Sequence, residues 1–125
     1  MNLLLDTHTL IWWLETNLNL SPSARAAIAE SRNRVFLSAV VVWEIAIKKS
    51  LKKLNLPDDL NEIIIEERFL PLPITLAHAL AVEHLPRHHN DPFDRMLVAQ
   101  AQVEGLTLVT RDPRIRKYEV EVIVA

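Results

Sequence analysis

The chain has no cysteine, a single glycine and no long apolar run, and each absence removes a class of function. Without cysteine there are no disulfides, thiolate nucleophiles or Cys-based zinc sites, which fits a reducing compartment. With Gly105 the only glycine, there is neither a glycine-rich phosphate loop nor a dinucleotide-binding fingerprint. A nucleotide cradled by backbone N–H groups is therefore not expected. The opening "LLL" is cut off by Asp6 with no basic segment ahead of it, unlike an export signal. No later stretch approaches the roughly 18 apolar residues of a membrane span, so a soluble, cytoplasmic protein is expected, with no membrane partner. Basic charge is scarce too: 14 Lys and Arg against 16 Asp and Glu leave a formal charge of −2, whereas nucleic-acid-binding domains usually carry a basic surplus. The cations are nonetheless clustered. "KKSLKK" (48–53) reads as a solvated helix end complementing the dipole, while "RDPRIRK" (111–117) lies in a loop beside an aspartate.

A length of 125 residues with 50% hydrophobic content suits one domain, residues 1–125, with a real core. Short apolar runs at 2–6, 34–38, 70–75, 106–110 and 120–124 have strand length and composition. Between them, segments 7–15, 21–31, 38–51, 58–69, 75–85 and 91–105 read as helices. Such alternation predicts an α/β domain with a mainly parallel central sheet of about five strands, flanked by helices on both faces. The segment "LPLPIT" (70–75) carries two prolines and belongs at a sheet edge, because proline cannot donate to a ladder. Ligands of such sheets bind beyond the carboxyl ends of the strands.

Four carboxylates stand out against this frame. Asp6 closes the first strand, and Asp112 follows the strand "LTLVT" by one residue, which puts both at the same edge if the sheet is parallel. Asp112 is also an ordinary turn residue before proline. Glu44 is the only charged residue between Phe36 and Ile47. An inward-facing carboxylate there costs several kcal/mol without a cationic partner, and an ion pair with Lys48 at i+4 is worth only about 0.2–0.5 kcal/mol at the surface. In "HHNDPFDRMLVAQAQ" (88–102), Asp91 is a natural N-cap with Pro92 at the first helical position. Asp94 crowns the stripe formed by Leu97, Val98 and Ala101, with Arg95, Gln100, Gln102 and Glu104 on the side expected to be wet. Asp91 is thus assigned to structure, outside the site, and Asp94 to chemistry. Carboxylates that converge raise one another's pKa unless a cation sits among them. Hard oxygen donors without cysteine favour Mg²⁺ or Mn²⁺, and such ions suit hydrolysis of a nucleic-acid phosphodiester.

The remaining candidates read more plainly. Adjacent His88 and His89 point in different directions and are read as loop residues, not a helical zinc pair. His8 either touches substrate or packs beneath the site, while His78 and His84 have no evident partner in the sequence. Trp12, Trp13 and Trp43 are read as core or interface residues, one of them marking a protein interface. An aspartyl-nucleophile phosphoryl-transfer domain shares the acidic strand ends, but "DTH" (6–8) lacks a second aspartate two residues after the first.

With these residues in place, the chain resembles the PIN-domain family, and within it the VapC-like ribonuclease toxins of toxin–antitoxin pairs. The resemblance spans essentially the whole chain and rests on "LLLDTH" (3–8), "LSAVVVWEIAIK" (37–48), "HHNDPFDRMLVAQAQ" (88–102) and "GLTLVTRD" (105–112) in this order. It implies cleavage of RNA with Mg²⁺ or Mn²⁺, a homodimer, and a small antitoxin that obstructs the site. Carried over residue by residue, the family's acidic site falls on Asp6, Glu44, Asp94 and Asp112. It also implies metal ligation by Asp6, Glu44 and Asp94, with Asp112 completing a second metal position or orienting water. Thr7 and Thr110 are expected as supporting hydroxyls, and Arg95 with Arg111 as phosphate contacts. The alternative is a non-catalytic RNA-binding or regulatory dimer that kept the fold.

Overall fold

A computed structural model describes all 125 residues. The five strands, β1 (Asn2–Leu5), β2 (Arg34–Ser38), β3 (Leu70–Leu72), β4 (Thr107–Thr110) and β5 (Val122–Val124), form one sheet in the order β3-β2-β1-β4-β5. Every adjacent pair is parallel. Six α-helices connect them: α1 (Thr7–Leu14), α2 (Pro22–Ala29), α3 (Ala39–Ser50), α4 (Leu60–Glu66), α5 (Leu76–Val82) and α6 (Pro92–Glu104). A single 3-10 turn, Ile115–Lys117, precedes β5. No helix is long and apolar enough to cross a membrane.

The central strand explains the layering. Leu3, Leu4 and Leu5 are each 0% exposed, and because successive strand side chains point to opposite faces, both faces of β1 are covered. Leu108 and Val109 of β4 repeat the pattern. β3 sits at the edge with Pro71 opposite Leu37 of β2, where a missing N–H is tolerated. The chain runs outward from β1 through β2 to β3, then returns to place β4 on the other side of β1. That reversal opens a crevice at the carboxyl ends of β1 and β4.

Helix starts follow their caps. Ser21 accepts from the Ala24 amide ahead of Pro22, and Ser38 from that of Val40. The Asp91 side chain accepts from the amides of Phe93 and Asp94, which satisfies two of the unpaired N–H groups that open a helix. At the other end of α6, Gly105 takes the left-handed conformation at φ 66° that glycine adopts without a Cβ penalty. With no other glycine available, α1, α3 and α4 are each followed by a left-handed residue that does carry a Cβ: Thr16, Lys52 and Arg68.

Two residues of α6 depart from the expected wet face. Arg95 is 7% exposed and Gln100 is 0% exposed. α6 packs against α5, α3 and β4, so it is covered on more than one side, whereas a reading from one apolar stripe assumes a single buried face. The Gln100 amide accepts from the Ser38 hydroxyl at 2.6 Å and donates to the Pro73 carbonyl at 3.3 Å. His78 has partners after all: its Nδ1 accepts from the Thr75 amide, its own amide donates to the Thr75 hydroxyl, and Nε2 faces Glu104 of α6 at 2.9 Å.

Candidate active site

Beyond the carboxyl ends of β1 and β4 lies an open cleft of about 800 Å³ whose walls include Asp6, Glu44, Asp91, Asp94 and Asp112. Asp6 leaves β1 and caps α1. Its Oδ1 accepts from the Thr9 amide at 2.8 Å, and its Oδ2 from the Thr110 hydroxyl at 2.5 Å. Thr110 ends β4, and its hydroxyl also accepts from the Asp112 amide at 3.1 Å, so one side chain ties together both strand ends. Glu44 reaches in from α3 and is 8% exposed. The Thr7 hydroxyl donates to its Oε1 at 2.5 Å, and Lys48 to its Oε2 at 2.7 Å. Asp112 is clasped by Arg114, whose backbone amide lies at 2.8 Å and whose Nη2 lies at 2.9 Å. Asp94, in the first turn of α6, has no full-length cationic partner; the hydrogen-bonding neighbour of its carboxylate is His89 Nε2 at 3.4 Å.

These surroundings separate the carboxylates electrostatically. Asp94 is pushed up from 3.8 to about 7, first by burial and then by the charges of Asp91, Asp6, Asp112 and Glu44. Asp112 is held below the ordinary carboxylate range by its hydrogen bond from the Arg114 side chain, against a smaller opposing effect of burial. His89 is pushed down, chiefly by burial and then by the Arg114 charge. Burial raises a carboxyl by itself, and the charges of the four others add to it.

Asp6, Glu44, Asp94 and Asp112 are thus brought to one cleft, with the Thr7 and Thr110 hydroxyls on two of them. Asp91 both caps α6 and lines this cleft, which corrects its assignment outside the site; a cap at the mouth of α6 is only one turn from Asp94. Arg95 is not at the cleft. Its guanidinium turns inward to the Pro86 carbonyl at 2.8 Å and the Tyr118 hydroxyl at 3.0 Å, so it is not a phosphate contact. Arg111 does line the cleft, lying 4.5 Å over the Trp12 ring. Its N–H groups are engaged by the main-chain oxygens of Ala125 and Asn19. His8 is exposed on the wall, stacked on Trp12 at 6.0 Å, not packed beneath it. Trp43, 57% exposed, lies away from the carboxylates.

Sequence reasoning missed Lys53, Arg114 and His89 as neighbours of the site. Arg114 had a local signal, since an Asp two residues before an Arg in a proline turn favours pairing. His89 had none, because its contact with Asp94 depends on how the loop before α6 folds back. As they stand, no three acidic or imidazole side chains converge tightly enough to enclose a cation; the oxygens of Asp6, Glu44 and Asp112 are turned toward hydroxyl, amide and cationic donors. The donor set itself, five carboxylates and no sulfur, is of the kind that binds hard divalent ions.

A family profile described as PIN domain matches residues 3–121. Ribonuclease VapC22 of Mycobacterium tuberculosis is 30% identical over 118 residues, covering 92% of this chain and 90% of that protein. Among solved structures, a chain of VapBC2 from Rickettsia felis bound to a promoter DNA fragment superposes with a TM-score of 0.70 at 17% identity, covering 98% of both chains. A chain of a toxin–antitoxin complex from Klebsiella pneumoniae gives 0.67 at 20% identity, covering 97% of this chain and 95% of the other. At these identities the structural likenesses speak to the fold.

Proposed function

The chain belongs to the PIN domain family, and from that premise we propose that it is a Mg²⁺- or Mn²⁺-dependent endoribonuclease, the toxin of a toxin–antitoxin pair. One observation carries the reading: five carboxylates share a single cleft at the strand ends, and Asp94 among them is raised to about 7 by burial and by the other four. A divalent cation relieves such an excess, and the all-oxygen donor set fits a hard ion. Asp6, Glu44 and Asp94 are the residues to hold it, with Asp112 either completing a second position or orienting water. The ion, when bound, supplies Lewis-acid polarisation of the phosphodiester and a more acidic water.

The chain's own residues supply the rest. Thr110 and the Thr9 amide fix the Asp6 carboxylate without neutralising it, and Thr7 does the same for one oxygen of Glu44. Lys48, Lys53, Arg111 and Arg114 line the cleft beside the carboxylates and offer an RNA phosphate its counter-charge. A small antitoxin that obstructs this cleft and a second copy of the chain are the proposed protein partners. The similar ribonuclease and the toxin–antitoxin complexes named above support this assignment.

The test is cleavage of RNA by the purified protein with Mg²⁺ or Mn²⁺ and in excess EDTA, with the new 5′ ends mapped. Cleavage that disappears in EDTA and in Asp94→Asn, in folded protein, is the expected result. Undiminished cleavage in EDTA overturns the metal requirement, and RNA binding without cleavage at any metal concentration overturns the nuclease.

A further inference from the structure

Three buried side chains that the nuclease reading leaves unused form a line to Asp94. Arg95, Tyr118 and His89 are 7%, 4% and 8% exposed. Arg95 Nη1 lies 3.0 Å from the Tyr118 hydroxyl, that hydroxyl 2.9 Å from His89 Nδ1, and His89 Nε2 3.4 Å from Asp94 Oδ2. The direction of each hydrogen bond follows from the chemistry of the first. A guanidinium only donates, so the Tyr118 oxygen accepts from Arg95. The phenol proton then has one acceptor within reach, His89 Nδ1. An Nδ1 that accepts leaves the ring proton on Nε2, aimed at Asp94. The opposite tautomer strands the buried phenol proton without an acceptor and turns a lone pair toward the carboxylate, and both cost free energy.

We propose that Arg95 and Tyr118 are positioning residues that fix His89 as the neutral Nε2–H tautomer, and that this chain of hydrogen bonds orients the Asp94 carboxylate without cancelling its charge. The role given to Asp94 rests on the reading of the cleft above; the tautomer does not. The contrast within the cleft is informative, for Glu44 and Asp112 each take a cation, Lys48 and Arg114, whereas the Asp94 carboxyl faces a single imidazole nitrogen. The clamp is also well anchored. Arg95 sits next to Asp94 on α6 and donates to the carbonyls of Pro86, Val82 and Leu85, so it holds the segment that carries His89 to the helix that carries Asp94. Outer hydrogen-bond partners of this kind orient metal-binding groups, and their loss typically weakens metal affinity or activity about 10–100-fold.

Tyr118→Phe removes one oxygen while keeping the ring, which packs edge-on against His88 at 4.7 Å, and Arg95 retains its carbonyl partners. The His89 ring nitrogens are read by ¹⁵N NMR in metal-free protein, and Mn²⁺ affinity by titration. The expected result is an Nε2–H ring in the parent protein, loss of that preference in Tyr118→Phe, and Mn²⁺ binding weakened about tenfold or more. His89→Gln, whose amide can replace the Nε2–H donor, should stay within about threefold of the parent, while His89→Leu should fall with Tyr118→Phe. An Nδ1–H ring or an imidazolium in the parent overturns the tautomer. An unchanged Mn²⁺ affinity in folded Tyr118→Phe, or His89→Gln as weak as His89→Leu, overturns the positioning role. A parent protein that binds no Mn²⁺ defeats the reading of the cleft and the positioning role with it, and the metal-free NMR result still decides the tautomer.

Discussion

Asp94 holds a proton more tightly in the folded protein than in the unfolded chain, and this has a definite sign. With its pKa raised from 3.8 to about 7, the folded state binds more protons than the unfolded state between those values. The Asp94 contribution to metal-free stability therefore falls as pH rises from about 4 to about 7, and flattens above that, by about 4 kcal/mol at most. Asp94→Asn should remove this slope and melt higher than the parent at pH 8 in EDTA, while losing cleavage; thermal melts across pH decide it, and an equal slope in both proteins refutes the assignment. Glu44→Gln isolates charge from shape. The Gln carbonyl can still accept from Thr7 but the bond from half-exposed Lys48 is lost, so the melting temperature should change by no more than the equivalent of about 1 kcal/mol while cleavage disappears. A loss of stability as large as the loss of activity instead makes Glu44 a structural ion-pair member. At this scale the site was readable where a residue broke its local pattern: a lone carboxylate in an apolar helix, an aspartate on a core stripe, acids closing strands. Arg95 and His89 broke nothing. An arginine at a helix start and a histidine in a loop look ordinary until tertiary structure supplies Tyr118 and the carbonyls of the α5–α6 segment.

Helix α6 shows how much an element's ends determine. Asp91→Ala removes the acceptor for two amides, costing about 1–2 kcal/mol. Because the Asp91 charge is the second-largest cause of the raised Asp94 pKa, the same change should lower that pKa while leaving folded protein able to cut RNA; NMR titration of Asp94 and a cleavage assay below the melting temperature read the two effects. The helices that end without glycine offer the converse experiment. Thr16 holds φ 53° after α1, a left-handed conformation that costs a β-branched residue about 1–2 kcal/mol. Thr16→Gly relieves that strain at the expense of unfolded-state entropy, for an expected net gain of about 0.5–1 kcal/mol in denaturant unfolding; a loss of stability there means the turn is not strained. Strands and helix starts were legible because prolines, caps and apolar periodicity act locally. The 3-10 turn at Ile115–Lys117 was not, since three residues carry no periodicity, and the polar residues buried in α6 were hidden because no single-helix pattern reports a second packed face.

For the molecule as a whole, a bound cation adds its binding free energy to folding. At a hundredfold excess over its dissociation constant, Mn²⁺ should stabilise the parent by about 2.7 kcal/mol, a rise of roughly 10 °C in melting temperature for a chain this size. Asp6→Asn with Asp94→Asn should abolish the rise, and an equal rise in the double variant places the ion elsewhere. The α/β class and the parallel sheet were legible from alternation alone. The order β3-β2-β1-β4-β5 was not, because which strands neighbour β1 is decided by crossovers that leave no local mark. That order sets a clock on the molecule's birth. The Thr110–Asp6 bond spans 104 positions of sequence, and β1 cannot receive β4 until the ribosome has made Thr107–Thr110. At about 5–20 residues per second, some 5–20 seconds separate the synthesis of the first carboxylate from that of the strand that completes its surroundings. The Asp6 carboxylate therefore spends those seconds without the Thr110 hydroxyl that fixes it.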